Sequence, residues 1–137
     1  MAKDIQPHNP PTLPKPAGFS HGYEIRSGRL LFVAGQVAKD RDGRVVGGGD
    51  VVAQFRQVCE NWKALLAAAG AHFNDVVKLT IYVLDVDEYK KQGKAIGAVY
   101  RDYFGRHFPA MTLVGVRDLY DREDGCLIEI EGFAVLG

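Results

Sequence analysis

Cysteine is nearly absent from this chain, with Cys59 and Cys126 its only two. Two thiols cannot make a disulfide framework or a four-sulfur metal site, and they fit a reducing compartment. Charge of one sign is also missing. Seventeen Lys and Arg balance seventeen Asp and Glu, so the formal net charge is zero. Such a balance creates no field to gather nucleic acid or anionic lipid. No apolar run approaches the roughly 20 residues that cross a bilayer. The opening residues, MAKDIQPHNPP, lack the apolar stretch of a secretory signal. These absences predict a cytoplasmic protein with neither nucleic acid nor membrane among its partners.

Proline is scarce except at one end, where five of the six lie at positions 7, 10, 11, 14 and 16. Residues 1–16 are therefore expected to form an extended, proline-rich N-terminal arm, and residues 17–137 a single domain. The strong chemical motifs are missing too: no P-loop, CxxC, HExxH, GxSxG or GxGxxG. His8, His21, His72 and His107 are scattered with no pair at ligand spacing, so neither a metal nor a cofactor is expected. Gly47-Gly48-Gly49 lacks the lysine and hydroxyl of a nucleotide loop and reads as a flexible turn.

What is present alternates between strand and helix patterns. Residues 30–37 form a short apolar run bounded by Ser27-Gly28 and by a charged turn, hence a strand. Glu24-Ile25-Arg26 suggests its hairpin partner, and Arg44-Val45-Val46 a further short strand. Asp50 is placed to cap a helix whose apolar face is Val51, Phe55, Val58, Cys59, Trp62, Leu65, Leu66 and Ala69, with Gly70 as the stop. Residues 76–84 read as a strand apolar in both registers. Asp87 can cap a second helix ending at Gly105, weakened by Gly93 and Gly97 at about 1 kcal/mol each. Residues 110–116 and 126–135 close the pattern as strands, with a charged loop over 117–125. The order predicts an α+β domain, two helices on one face of a mixed sheet. Apolar side chains in both registers of 76–84 predict that self-association covers the other face.

Two places could carry chemistry. In Leu127-Ile128-Glu129-Ile130-Glu131-Gly132-Phe133, alternation sets Glu129 and Glu131 on the face opposite Ile128 and Ile130. Carboxylates on a buried face are either paired across an interface or functional, in which case one or both orient water. Gly18-Phe19-Ser20-His21-Gly22 offers an aromatic wall, a hydroxyl and an imidazole in one loop; the alternative is a surface turn with a solvated histidine.

Pro16-Ala17-Gly18-Phe19-Ser20-His21 followed by Leu31-Phe32-Val33-Ala34-Gly35-Gln36-Val37 resembles the opening of the reactive-intermediate deaminase (Rid, YjgF-type) family. Gln54 with Asn61, Ala68-Ala69-Gly70-Ala71, Asp75-Val76-Val77-Lys78-Leu79-Thr80, Phe108-Pro109-Ala110 and Ile128-Glu129-Ile130-Glu131 extend the likeness over residues 16–136. The resemblance implies a chorismate-mutase-like fold in a homotrimer with a central barrel-like core and small-molecule sites at the subunit interfaces. It implies hydrolysis of enamines and imines, with Gly35 bordering the ligand and Glu129 associated with the water. Phe19, Gly35 and Met111 are the implied substrate-binding positions, and the loop reading adds Ser20 and His21 to them. The family's carboxylate-clamping arginine is replaced by Met111, which can neither donate a hydrogen bond nor hold an anion. Phe19 stands where tyrosine is common, Ala34 where serine, Leu113 where cysteine, and Gly97 where asparagine. The chain thus looks like an arginine-lacking branch. The expected function is a hydrolytic deaminase of an enamine, an imine or a conjugated amino acid, the 2-aminomuconate type among them, inefficient on 2-iminopropanoate. A non-catalytic small-molecule-binding or regulatory trimer is the alternative, and a ribonuclease the third.

Overall fold

Asp50 opens the longest helix, α1 (Val51–Ala68), in the computed structural model, which describes residues 2–137. The Asp50 carboxylate accepts from the backbone N–H groups of Val52 and Ala53 at 3.0 and 3.1 Å, satisfying two of the donors a helix start leaves unpaired. At the other end, Ala71 N–H reaches Leu66 O at 2.8 Å and Gly70 N–H reaches Ala67 O at 3.0 Å. Gly70 takes φ +72° there, a left-handed closure that glycine adopts without penalty.

The main sheet has strand order β3-β6-β4-β5, built from Arg29–Val37 (β3), Val76–Val83 (β4), Ala110–Gly115 (β5) and Ile128–Leu136 (β6). β6 runs antiparallel to both neighbours, whereas β4 and β5 are parallel, so the sheet is mixed as expected. A parallel pair needs a crossover, and the helical segment between β4 and β5 supplies it. Val33, Leu79, Ile81, Val83, Ile128 and Ile130 face the helices and are buried with α1's Phe55, Val58 and Trp62. Trp62 donates its indole N–H to Ile130 O at 3.2 Å, and the missing side chain at Gly132 leaves room for its ring.

Several expectations are corrected. Glu24-Ile25-Arg26 lies in β2 (Gly22–Ser27), which pairs antiparallel with β1 (Asp4–His8) and not with β3. The arm thus carries a strand, tied down further by an ion pair of Lys3 with Asp75. Arg44-Val45-Val46 contributes only the single bridge Lys39 to Val45. The second helix is two pieces, α2 (Val86–Lys91) and α3 (Gly93–Phe104), broken at Gln92. Its cap is Asp85, whose carboxylate accepts from Glu88 N–H at 3.0 Å, and not Asp87. The sheet face away from the helices is mixed rather than apolar. Lys78, Thr80 and Tyr82 share it with Glu129 and Glu131, while apolar Leu30, Phe32 and Phe133 lie along β3 and β6. Among the described residues, no helix is long and apolar enough to cross a membrane.

Gln54 locks the start of β6 to the helix layer. It is 0% exposed, donates to Gly125 O at 2.8 Å and accepts from Leu127 N–H at 2.8 Å. Gln54→Leu keeps most of the volume but leaves both half-buried backbone groups without their partner. Each stranded group costs about 1–3 kcal/mol, so the expected loss is about 2–6 kcal/mol in urea denaturation. A loss under about 1 kcal/mol would show that these groups find water instead.

Candidate functional site

The Glu129 carboxylate lies directly on the backbone of β3. Val33 pairs with Gly132 and Gln36 with Ile130, so Ala34 and Gly35 together face Glu131, a bulge that bends the strand. A Cβ built on Gly35 would overlap the Glu129 side chain, with its carboxyl carbon at 2.8 Å. Only glycine admits that approach. Among the described residues no ion pair or hydrogen bond engages the Glu129 carboxylate. Partial burial raises its pKa above the usual carboxylate value, and the carboxylates of Asp121 and Glu131 add to the shift. Asp121 is itself held by Lys39 at 3.0 Å. Asn61 donates to Val37 O at 2.9 Å and to Lys39 O at 3.2 Å, fixing the end of β3 beside the carboxylate. Gln54 and Asn61 enter the sequence reading only as parts of a likeness. Their work is to hold the strand ends that bring Gly35 and Glu129 together.

Phe19, Ser20 and His21 lie elsewhere. Ser20 is buried, bridges in parallel to Ala110, and donates its hydroxyl to Phe108 O at 2.6 Å. Its hydroxyl anchors the loop beside the first residue of β5. Phe19 and His21 meet edge to face with centroids 5.3 Å apart. The His21 ring is turned to Pro14 O at 2.7 Å, and its backbone N–H to the Asn9 side chain at 2.7 Å. His21 therefore fastens the arm. Met111 pairs with Leu79 across β4 and β5 and so shares the helix-side face. It lines a cavity of about 370 Å³ with Ala17, Gly18, Gly97, Tyr100 and Arg101. Tyr100 stacks on Phe104 at 4.4 Å and on Phe108 at 5.8 Å, making a flat aromatic wall. The sequence registers Tyr100 and Trp62 as helix-face residues; that they also enclose a cavity is a tertiary fact.

The two groups cannot meet within one chain. Gly35 and Met111 sit on β3 and β5, the opposite edges of the sheet, three strand spacings or about 14 Å apart. They also serve opposite faces, Met111 the helix side and Glu129 the open side. On that open face Phe32 is 69% and Phe133 39% exposed, their rings edge to face at 5.0 Å. The pair forms an exposed apolar patch on the same sheet face as Glu129.

A family model described as Endoribonuclease L-PSP matches residues 12–136. A RutC family protein of Pyrococcus horikoshii is 43% identical over 122 residues, covering 88% of this chain and 90% of the relative. The 2-iminobutanoate/2-iminopropanoate deaminase of Salmonella typhimurium is 34% identical over 139 residues, covering 98% of each. A solved structure of a Rid family protein from Yersinia pestis is similar with a TM-score of 0.84 at 40% identity, covering 96% of this chain and 98% of that one. The arrangement shared with it is the chorismate-mutase-like α+β fold expected from the sequence.

Proposed function

The chain belongs to the Endoribonuclease L-PSP family, the YjgF/Rid proteins, and from that premise we propose that it is a hydrolytic deaminase of small enamines or imines. The working unit in this reading is a homotrimer whose sites lie between subunits. The observation that carries it is the Glu129 carboxylate, partly buried, without a partner among the described residues and laid on Gly35. A carboxylate held so can accept a proton from water as the oxygen attacks the imine carbon. The C=N bond then becomes C=O, and nitrogen leaves as ammonia after taking up the protons. Separation of the Glu129 and Met111 groups to opposite sheet edges supports a site completed by a second copy, because one chain holds only half of it. The deaminase name of the Salmonella relative supports the reaction class.

Met111 narrows the substrate. A thioether cannot clamp a small carboxylate, so 2-iminopropanoate is a poor substrate and a larger enamine, imine or conjugated amino acid a better one. The test is ammonia release from 2-iminopropanoate, from imines of larger amino acids and from aminomuconate-type compounds. Little release is expected with the first and measurable turnover with a larger compound. Met111→Arg should tighten pyruvate binding about tenfold, the scale of one charge-assisted pair. Robust wild-type turnover of 2-iminopropanoate would overturn the reading of Met111. Saturable binding with no ammonia from any compound would favour a non-catalytic binding trimer. A net charge of zero disfavours the ribonuclease, which RNA cleavage at low salt would reveal.

A further inference from the structure

Met111 leaves open which cation meets an anionic ligand in the helix-side cavity. His21 is committed to Pro14, Arg26 is paired with Glu24 at 3.2 Å, and Arg29 binds the carbonyl oxygen of Gly137 at 2.9 Å. Arg117, in the loop after β5, does not line the cavity. Arg101 does, and it is the one charged residue among the described residues that line it. Its guanidinium has no ion pair or side-chain hydrogen bond with any described residue.

The helix presents this group through its glycines. Gly93, Gly97 and Arg101 follow at intervals of four, so they form one stripe along α3. Helical side chains lean toward the N-terminus, which lays the Arg101 guanidinium back over Gly97. A Cβ on Gly97 would already stand 3.5 Å from Arg101 Nη1, and anything longer would displace it. Gly97 weakens the helix, yet it clears the place where the charge rests. Behind the guanidinium the walls are Phe55, Trp62, Tyr89, Phe108 and Met111, all apolar or aromatic. The hydroxyl of Tyr100 is spent on His107 O at 2.6 Å. One cation at the mouth of an apolar cavity of about 370 Å³ suits a ligand with a single carboxylate and an apolar tail.

We propose that Arg101 binds the ligand carboxylate in place of the absent clamp, and that the cavity selects a monocarboxylate with an aromatic or branched apolar tail. This identifies a specificity-determining residue for the deaminase reading and rests on that reading for the substrate class. A planar guanidinium gives two parallel donors, so the geometry is fixed as well as the charge. The anchor on α3, rather than on β5, explains why a two-carbon tail is too short to exploit the cavity.

The test uses the full-length protein and titration calorimetry with stable probes. These are 3-phenylpropanoate, its uncharged amide and acetate. Wild type should bind 3-phenylpropanoate at least tenfold more tightly than acetate. Arg101→Gln should weaken 3-phenylpropanoate at least tenfold and leave the amide unchanged, while Arg101→Lys recovers part of the loss. Gly97→Leu should weaken the carboxylate in the same way by displacing the guanidinium, and thermal melting shows whether each variant is folded. Equal affinity of wild type and Arg101→Gln for the carboxylate would overturn the anchor. Equal binding of acetate and 3-phenylpropanoate would overturn the tail selection, and no binding of any probe would overturn both. Probe binding that follows this pattern with no ammonia released from any imine would count against the deaminase reading alone, so failure of hydrolysis and failure of this site are read separately.

Discussion

Glu129→Gln is expected to lower ammonia release by about 10²–10⁴-fold, the usual contribution of a placed acid–base group, while the protein stays folded and keeps its assembly. Glutamine preserves shape over Gly35 and removes only the charge. The acid limb of the wild-type pH–rate profile should lie above the ordinary carboxylate value of 4.5, because burial first and the Asp121 and Glu131 carboxylates next raise the Glu129 pKa. Lys39 is the cation nearest this group of acids, and it is already bound to Asp121. The same shift sets a stability signature. A carboxyl that holds its proton more tightly when folded costs stability as pH rises from 4.5 through the raised value. Glu129→Gln should therefore melt higher than wild type at neutral pH and lose that advantage below pH 4.5. A variant that dissociates would show instead that the carboxylate is an ion-pair partner between subunits. One that keeps full turnover would remove Glu129 from the mechanism.

Phe32→Asp is expected to break the assembly and, with it, the activity. Phe32 is 69% exposed on an edge strand, its ring against Phe133, and stands outside the buried core, so the change leaves that core intact. Placing a carboxylate near Glu131 on that face adds repulsion to the loss of an aromatic contact. Light scattering should report a folded monomer at micromolar concentration. Turnover should fall about 10²-fold or more, since Gly35 and Glu129 lose the neighbour's Met111 side of the site. Mixing Glu129→Gln with Arg101→Gln should restore part of the activity, because mixed assemblies contain sites with both halves intact. A monodisperse wild-type monomer with full activity would overturn the interface site outright.

Much of the site's raw material was legible in the chain. Alternation over residues 127–133 sets Glu129 and Glu131 opposite Ile128 and Ile130, and the strand holds them so. Asp50 and Gly70 mark the ends of α1 because capping is a contest among neighbours in sequence, decided within one turn. The short-range rules failed where two readings were locally equivalent. Asp85 and Asp87 are both placed to cap a helical stretch; the helix begins at Val86, so Asp85 is the cap and Asp87 lies in the first turn. Glu24-Ile25-Arg26 has the pattern of a strand either way; Gly28, at φ +134°, turns it from β3 toward Asp4–His8.

By itself, then, the sequence determined which residues share a face, where α1 starts and stops, and that no clamp arginine stands at position 111. Periodicity is a local property, and burying one face of each element enforces it. The tertiary structure decided which strands are neighbours, where β3 bulges, and which residues meet across them. It alone put Gly35 under Glu129 and the Arg101 guanidinium over Gly97. It alone set Gly35 and Met111 on opposite edges of the sheet. Pairing across long stretches of chain is selected by the fit of whole surfaces, and no run of residues encodes its own partner.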